Sequence, residues 1–86
     1  MPYNVTFEEE AENDLAEMPP PARRQVLRAI QERIMVAPLA FGKQLKHGLS
    51  GYRSLRVGDW RIGYTVDENN VSIAHIELRR DAYKGW

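Results

Sequence analysis

Arginine gathers in the last third of this chain, and it gathers among aromatic rings. Residues 51–64 read Gly-Tyr-Arg-Ser-Leu-Arg-Val-Gly-Asp-Trp-Arg-Ile-Gly-Tyr, and residues 79–84 read Arg-Arg-Asp-Ala-Tyr-Lys. Guanidinium groups are planar, permanently charged donors whose fork matches phosphate oxygens. Tyr52, Trp60, Tyr64 and Tyr83 are rings on which a nucleobase can stack. Together they suit an RNA strand, with cations holding the backbone and rings holding the bases. The competing explanation is a surface on which each arginine pairs with a carboxylate such as Asp59, Asp67 or Glu77.

Other chemistries have little support. There is no cysteine, which removes disulfides and thiolate metal sites and fits a reducing cytoplasm. Two isolated histidines, His47 and His75, do not make a metal centre, so neither metal nor cofactor is expected. His47 falls in a glycine-rich loop and can shuttle protons near neutral pH. His75 falls on an apolar strand and reads as a packed, hydrogen-bonded side chain. No serine–histidine–aspartate set, phosphate-binding glycine loop or carboxylate pair stands at useful spacing.

The positions of the arginines depend on the elements that carry them. Residues 2–7 alternate Tyr3, Val5 and Phe7 with polar neighbours, a strand period. Ala11, Leu15 and Met18 then recur at helical spacing, with Glu8, Glu9 and Glu10 in the first turn, where the helix dipole favours negative charge. Pro19, Pro20 and Pro21 end that helix and open a second over about 21–36, with Val26, Leu27, Ile30 and Ile34 as its apolar face. Residues 39–51 read as a loop, from which Lys43 and Lys46 reach towards the basic sheet. Strands follow over 52–57, 60–66 and 71–78, joined by Gly58-Asp59 and by 67–70. The last strand is apolar at both parities, which predicts a central strand covered on both faces. The order β-α-α-β-β-β makes an α+β domain over residues 1–86, its helical hairpin packed on one face of a small antiparallel sheet.

Strand alternation then separates the arginines. Arg61, Gly63 and Thr65 point away from Trp60, Ile62, Tyr64 and Val66. Arg61 is therefore displayed on the uncovered face beside small neighbours. Across the turn either Arg53 or Arg56 lies near it, and because those two have opposite parity at most one shares its face. Two cross-strand arginines repel unless an anion sits between them.

Bulk properties bound the rest. With 86 residues the chain is a single domain that buries roughly 60–65% of its unfolded surface. Hydrophobic residues make up 43%, too few for a membrane protein, and no apolar run approaches the ~18 residues that span a bilayer. The first residues carry no signal-peptide pattern. Net charge is zero, yet residues 1–41 hold four Arg against seven acids and residues 42–86 hold eight Lys and Arg against five. A neutral molecule can thus present one basic face.

With these residues in place, the chain resembles toxins of the RelE/ParE superfamily of type II toxin–antitoxin systems over nearly its full length. The opening strand is followed by a first helix from Phe7 to Pro19 and a second from Arg23 to Ile34. Leu45-Lys46, the run from Gly48 to Tyr64 and the closing Arg79-Arg80-Asp81-Ala82-Tyr83 carry the resemblance most specifically. It implies a small toxin held inactive by a cognate antitoxin. In the RelE-like branch, which the arginines and Tyr83 favour, it implies cleavage of mRNA on the ribosome by attack of a 2′-hydroxyl on the adjacent phosphate. Carried over, Arg61 and Arg79 or Arg80 stabilise the phosphorane, and Tyr83 stacks on or protonates the leaving 5′-oxygen. Lys43, Lys46, Arg53 and Arg56 hold the RNA. Two departures stand out: residues 52–57 contain no lysine, and Glu77-Leu78 replaces the usual Gly-His or Gly-Lys, leaving the general base unassigned. The alternatives are a ParE-like inhibitor of DNA gyrase without nuclease chemistry, or an inactive homologue that only binds its antitoxin.

Overall fold

The computed structural model describes residues 2–44 and 51–78. Its elements are β1 (Asn4–Phe7), α1 (Glu9–Glu17), α2 (Pro20–Ala29), β2 (Lys43–Gln44), β3 (Arg53–Val57), β4 (Trp60–Asp67) and β5 (Asn70–Leu78). Both helices pack on one face of a five-stranded sheet ordered β1-β5-β4-β3-β2. The expected α+β architecture is present, with two additions. The sheet is mixed, because β1 runs parallel to β5 while the other neighbours are antiparallel. Residues 43 and 44, expected in a loop, add a short edge strand to β3.

The helical hairpin is set by proline and by one arginine. Met18 and Pro19 are extended, and prolines occupy the first turn of α2, where a missing N–H costs nothing. Arg23 donates from Nε to the Leu15 carbonyl (2.9 Å), which also accepts the Met18 N–H, and from Nη2 to the Met18 carbonyl (3.0 Å), tying α2 to the end of α1. After Ala29 the second helix continues for one π-helical turn, Ile30–Ile34, in which the Met35 N–H reaches the Ile30 carbonyl at 2.8 Å. The core joins Ala11, Met18, Val26, Ile30 and Ile34 from the helices to Leu55, Ile62, Tyr64, Val71, Ile73 and Ile76 from the sheet.

β5 lies inside the sheet, flanked by β1 and β4, but β4 is the central strand and β5 is covered on one face only. The register with β4 shifts between Gly63 and Tyr64, so that Gly63 opposes His75 while Tyr64 opposes Ile73. Ala74 is the extra residue of a β-bulge. Val71 and Ile73 before it and Ile76 after it are all buried, while Ser72, His75 and Glu77 are half-exposed. The apolar residues at both parities therefore record a change of phase within one buried face, not two covered faces.

β1 ends opposite Ile73, and the outer edge of β5 beyond it meets α1 instead. The Ile76 N–H donates to Asp14 Oδ2 at 2.9 Å, which occupies an edge donor that would otherwise invite another strand. Of the two tight turns, one has Gly58 at φ +60°, and the other places Glu68, rather than an Asn or Asp, at φ +55°. Among the described residues no helix is long and apolar enough to cross a membrane.

Candidate nucleic-acid interface

The uncovered face of the sheet carries two adjacent rows of side chains. Residues paired across strands project to the same side. In the first row Lys43 pairs with Ser54, Ser54 with Gly63 and Gly63 with His75. In the second row Arg56 pairs with Arg61, and Arg61 with Glu77. Arg56, not Arg53, is thus the cross-strand neighbour of Arg61, which resolves the choice left by the sequence. Arg56 is exposed and Arg61 is half-buried. Ser54 and Gly63 form a low floor in the first row, with Lys43 at one end and His75 at the other.

Gly63 is buried because the His75 imidazole lies over it. A Cβ at position 63 would overlap the ring, so only glycine admits this arrangement. His75 Nε2 stands 3.6 Å from Glu77 Oε1, with both side chains about one-third exposed or less (26% and 32%). A titratable dyad therefore borders the arginine pair. The expectation for His75, a packed and hydrogen-bonded side chain, is met only in part, because its partner is a carboxylate on the open face. The signal was present in the sequence as the i, i+2 spacing of His75 and Glu77, masked by the bulge that moves them outward.

Arg53 lies on the opposite, helix-covered face, paired with Tyr64. Its Nη2 donates to the Leu39 carbonyl at 3.0 Å, with the Gly42 and Phe41 carbonyls at 3.4 and 3.5 Å. Tyr64 is fully buried, and its hydroxyl lies 2.8 Å from both the Pro38 and the Phe41 carbonyl oxygens. Burial pushes the Tyr64 phenol above its ordinary value, and the Arg53 guanidinium pulls partly against that rise. Gly42 closes the knot at φ +75°, where a Cβ would sit 2.6 Å from the Tyr64 hydroxyl. The structure does not bring Arg53 to the other arginines; it anchors the chain that leads into β2. Tyr64, one of the candidate stacking rings, is corrected by its burial: a ring with no exposed surface cannot receive a base. Trp60 packs on the core cluster, and Tyr52 is half-buried.

Lys46, Arg79, Arg80 and Tyr83, together with His47, lie outside the described residues. Among the described residues no group of three or more metal-ligating side chains forms a metal site. A groove of about 300 Å³ runs between α1 and the end of β5, but Asp14, Glu17 and Glu77 line it, and carboxylates repel a polyanion. The basic open face, not this groove, has the chemistry for phosphate.

Comparison with known proteins agrees with this geometry. Residues 5–83 match the family described as the ParE toxin of type II toxin–antitoxin system, parDE. The chain is 34% identical over 86 residues to toxin RelG of Mycobacterium tuberculosis, covering 98% of this chain and 99% of that protein. It is 31% identical to toxin RelE of the same organism, covering 96% of this chain and 88% of that one. A chain in the crystal structure of the toxin–antitoxin complex RelBE2 from Mycobacterium tuberculosis superposes with a TM-score of 0.87 at 32% identity, over 92% of this chain and 100% of that chain. A two-helix layer on a mixed sheet, a basic open face and full-length likeness converge, and the chain belongs to the RelE/ParE superfamily of type II toxin–antitoxin toxins.

Proposed function

We propose that the chain is a ribosome-dependent endoribonuclease that cuts mRNA and is silenced by a cognate antitoxin. The observation that supports this most is the cross-strand pairing of Arg56 with Arg61 on the open face. Two guanidinium groups in direct register make a positive patch on that face, with Glu77 paired across from Arg61 on its other side. A phosphodiester is an anion that such a patch attracts, and Ser54, in the row beside it, is a small neighbour. In this reading the 2′-hydroxyl attacks the neighbouring phosphorus, and Arg61 stabilises the charge that grows on the non-bridging oxygens. Arg79 or Arg80 assists from the tail, and Tyr83 donates a proton to the departing 5′-oxygen. Lys43, Lys46 and Arg56 hold the backbone, while Arg53 fixes the segment that presents Lys43.

The antitoxin partner is supported by the RelBE2 complex. It is also supported by apolar side chains left in solvent: Leu39 is 60% exposed, Val36 59% and Phe41 40%. An antitoxin segment that folds on contact would cover them. The site of action is then the cytoplasm, where ribosomes translate. The test is primer extension on mRNA incubated with purified protein and translating ribosomes, with Arg61→Ala alongside. Cleavage by the wild type, lost in the variant, is the expected result; cleavage untouched by the substitution removes Arg61 from the mechanism.

A second reading is inhibition of DNA gyrase, favoured by the ParE description of the matched family. Supercoiling assays separate the two: inhibited supercoiling without mRNA cleavage selects it.

A further inference from the structure

We infer that His75, seated on Gly63 and backed by Glu77, takes the proton from the attacking 2′-hydroxyl. This rests on the nuclease reading and fills the role left open by the absence of lysine from β3. Three observations carry it. The imidazole lies on the open face in the row that ends at Lys43, next to the row holding Arg56 and Arg61. Its seat is a glycine that a side chain would close, so the ring and the backbone beneath it fit as a pair. A carboxylate stands 3.6 Å from Nε2.

The arrangement assigns the ring's two nitrogens. A carboxylate beside Nε2 favours the proton there, which leaves the Nδ1 lone pair as acceptor. In the step itself Nδ1 takes the 2′-hydroxyl proton, the oxygen–phosphorus bond forms, and the bond from phosphorus to the 5′-oxygen breaks. The products are a 2′,3′-cyclic phosphate and a 5′-hydroxyl that receives its proton from solvent. The imidazolium then returns its proton to solvent. The charged groups facing the ring are Glu77 on its own strand and Lys43, Arg56 and Arg61 across the rows, while Ser54 and Thr65 on the neighbouring strands are neutral. Glu77 thus acts through His75 as a positioning residue and offsets part of the surrounding positive charge.

The test measures single-turnover cleavage of mRNA on programmed ribosomes by the full-length chain and by His75→Gln, His75→Ala, Glu77→Gln and Gly63→Ala, each checked by thermal melting. His75→Ala and His75→Gln should lower the rate by about 10²-fold or more, within the range for a lost general base. Imidazole added to His75→Ala should restore part of it. The wild-type rate should rise with pH and level off, a profile that His75→Gln flattens. Gly63→Ala should lower the rate by displacing the ring, and Glu77→Gln should shift the profile with a smaller loss. Normal cleavage by both His75 variants overturns the assignment alone. So does a loss that imidazole does not restore and that leaves the pH profile unchanged. Absence of cleavage by the wild type overturns the nuclease reading and this assignment together, and it is told apart by the wild-type lane.

Discussion

Arg53 and Arg56 stand three residues apart on the same strand and have opposite fates. Arg53 faces the helices and spends its donors on the carbonyls of residues 39–42, beside a buried tyrosine. Arg56 faces outward, exposed, opposite a second arginine. One guanidinium fastens the chain and the other adds to a field that attracts anions. Arginine density in a sequence therefore counts donors without saying what they serve. Strand parity and the supply of backbone carbonyls decide that.

Substitutions on the two faces of the sheet should separate these roles. Arg61→Ala should lower mRNA cleavage by about 10²–10³-fold, the usual cost of losing one preorganised donor to a developing charge. Its melting temperature should stay within a few degrees of wild type. Next comes the other side of the sheet. Tyr64→Phe strips a donor from the Pro38 and Phe41 carbonyls and should cost about 1–3 kcal/mol, or several degrees in melting temperature for a domain this small. Cleavage per folded molecule should change far less. If Tyr64→Phe cut activity as deeply as Arg61→Ala without loss of stability, the separation of the two faces would fail.

A smaller effect concerns salt. Arg56→Ala should reduce the slope of log affinity for single-stranded RNA against log salt by about 0.7, the share of one phosphate contact, and Arg53→Ala should leave that slope unchanged. Binding titrations across a salt series read both. The smallest effect appears only in alkali. The Tyr64 phenol ionises above its ordinary value of 10.0 when folded, so the unfolded chain loses its proton first. Stability from this group is intact below pH 10 and falls as the pH climbs from there through the folded value. Urea midpoints measured between pH 9 and 11 should decline more steeply for wild type than for Tyr64→Phe.

Much of this fold is legible in the sequence because its signals are local. The apolar stripe of α1, the three prolines and the Gly58-Asp59 turn each announce an element from its own residues. The parallel placement of β1 beside β5 is a contact between distant segments, and no pattern within either strand states it. The two-residue strand β2 is too short to show a period. Within the candidate site, alternation sufficed to place Arg61 on the open face. Arg56 could be chosen over Arg53 only once the turn register was known. His75 was read as a packed side chain because the strand around it is mostly apolar, and Tyr64 was offered as a stacking ring though its own strand parity already pointed it at the helices.

The bulge at Ala74 has a consequence for how this strand can vary. Ile73, His75 and Glu77 share odd numbers, so in an unbroken strand they would all point the same way. One unpaired alanine lets a buried isoleucine and a solvent-facing histidine–glutamate pair follow each other within five positions. Removing that alanine would close the bulge and leave every facing as it is: Val71, Ile73 and Ile76 would stay in the hydrocarbon interior, and Ser72, His75 and Glu77 would stay outside. Point changes along β5 can tune the outer surface one side chain at a time, and the unpaired residue lets the strand lose one position without turning its buried face outward.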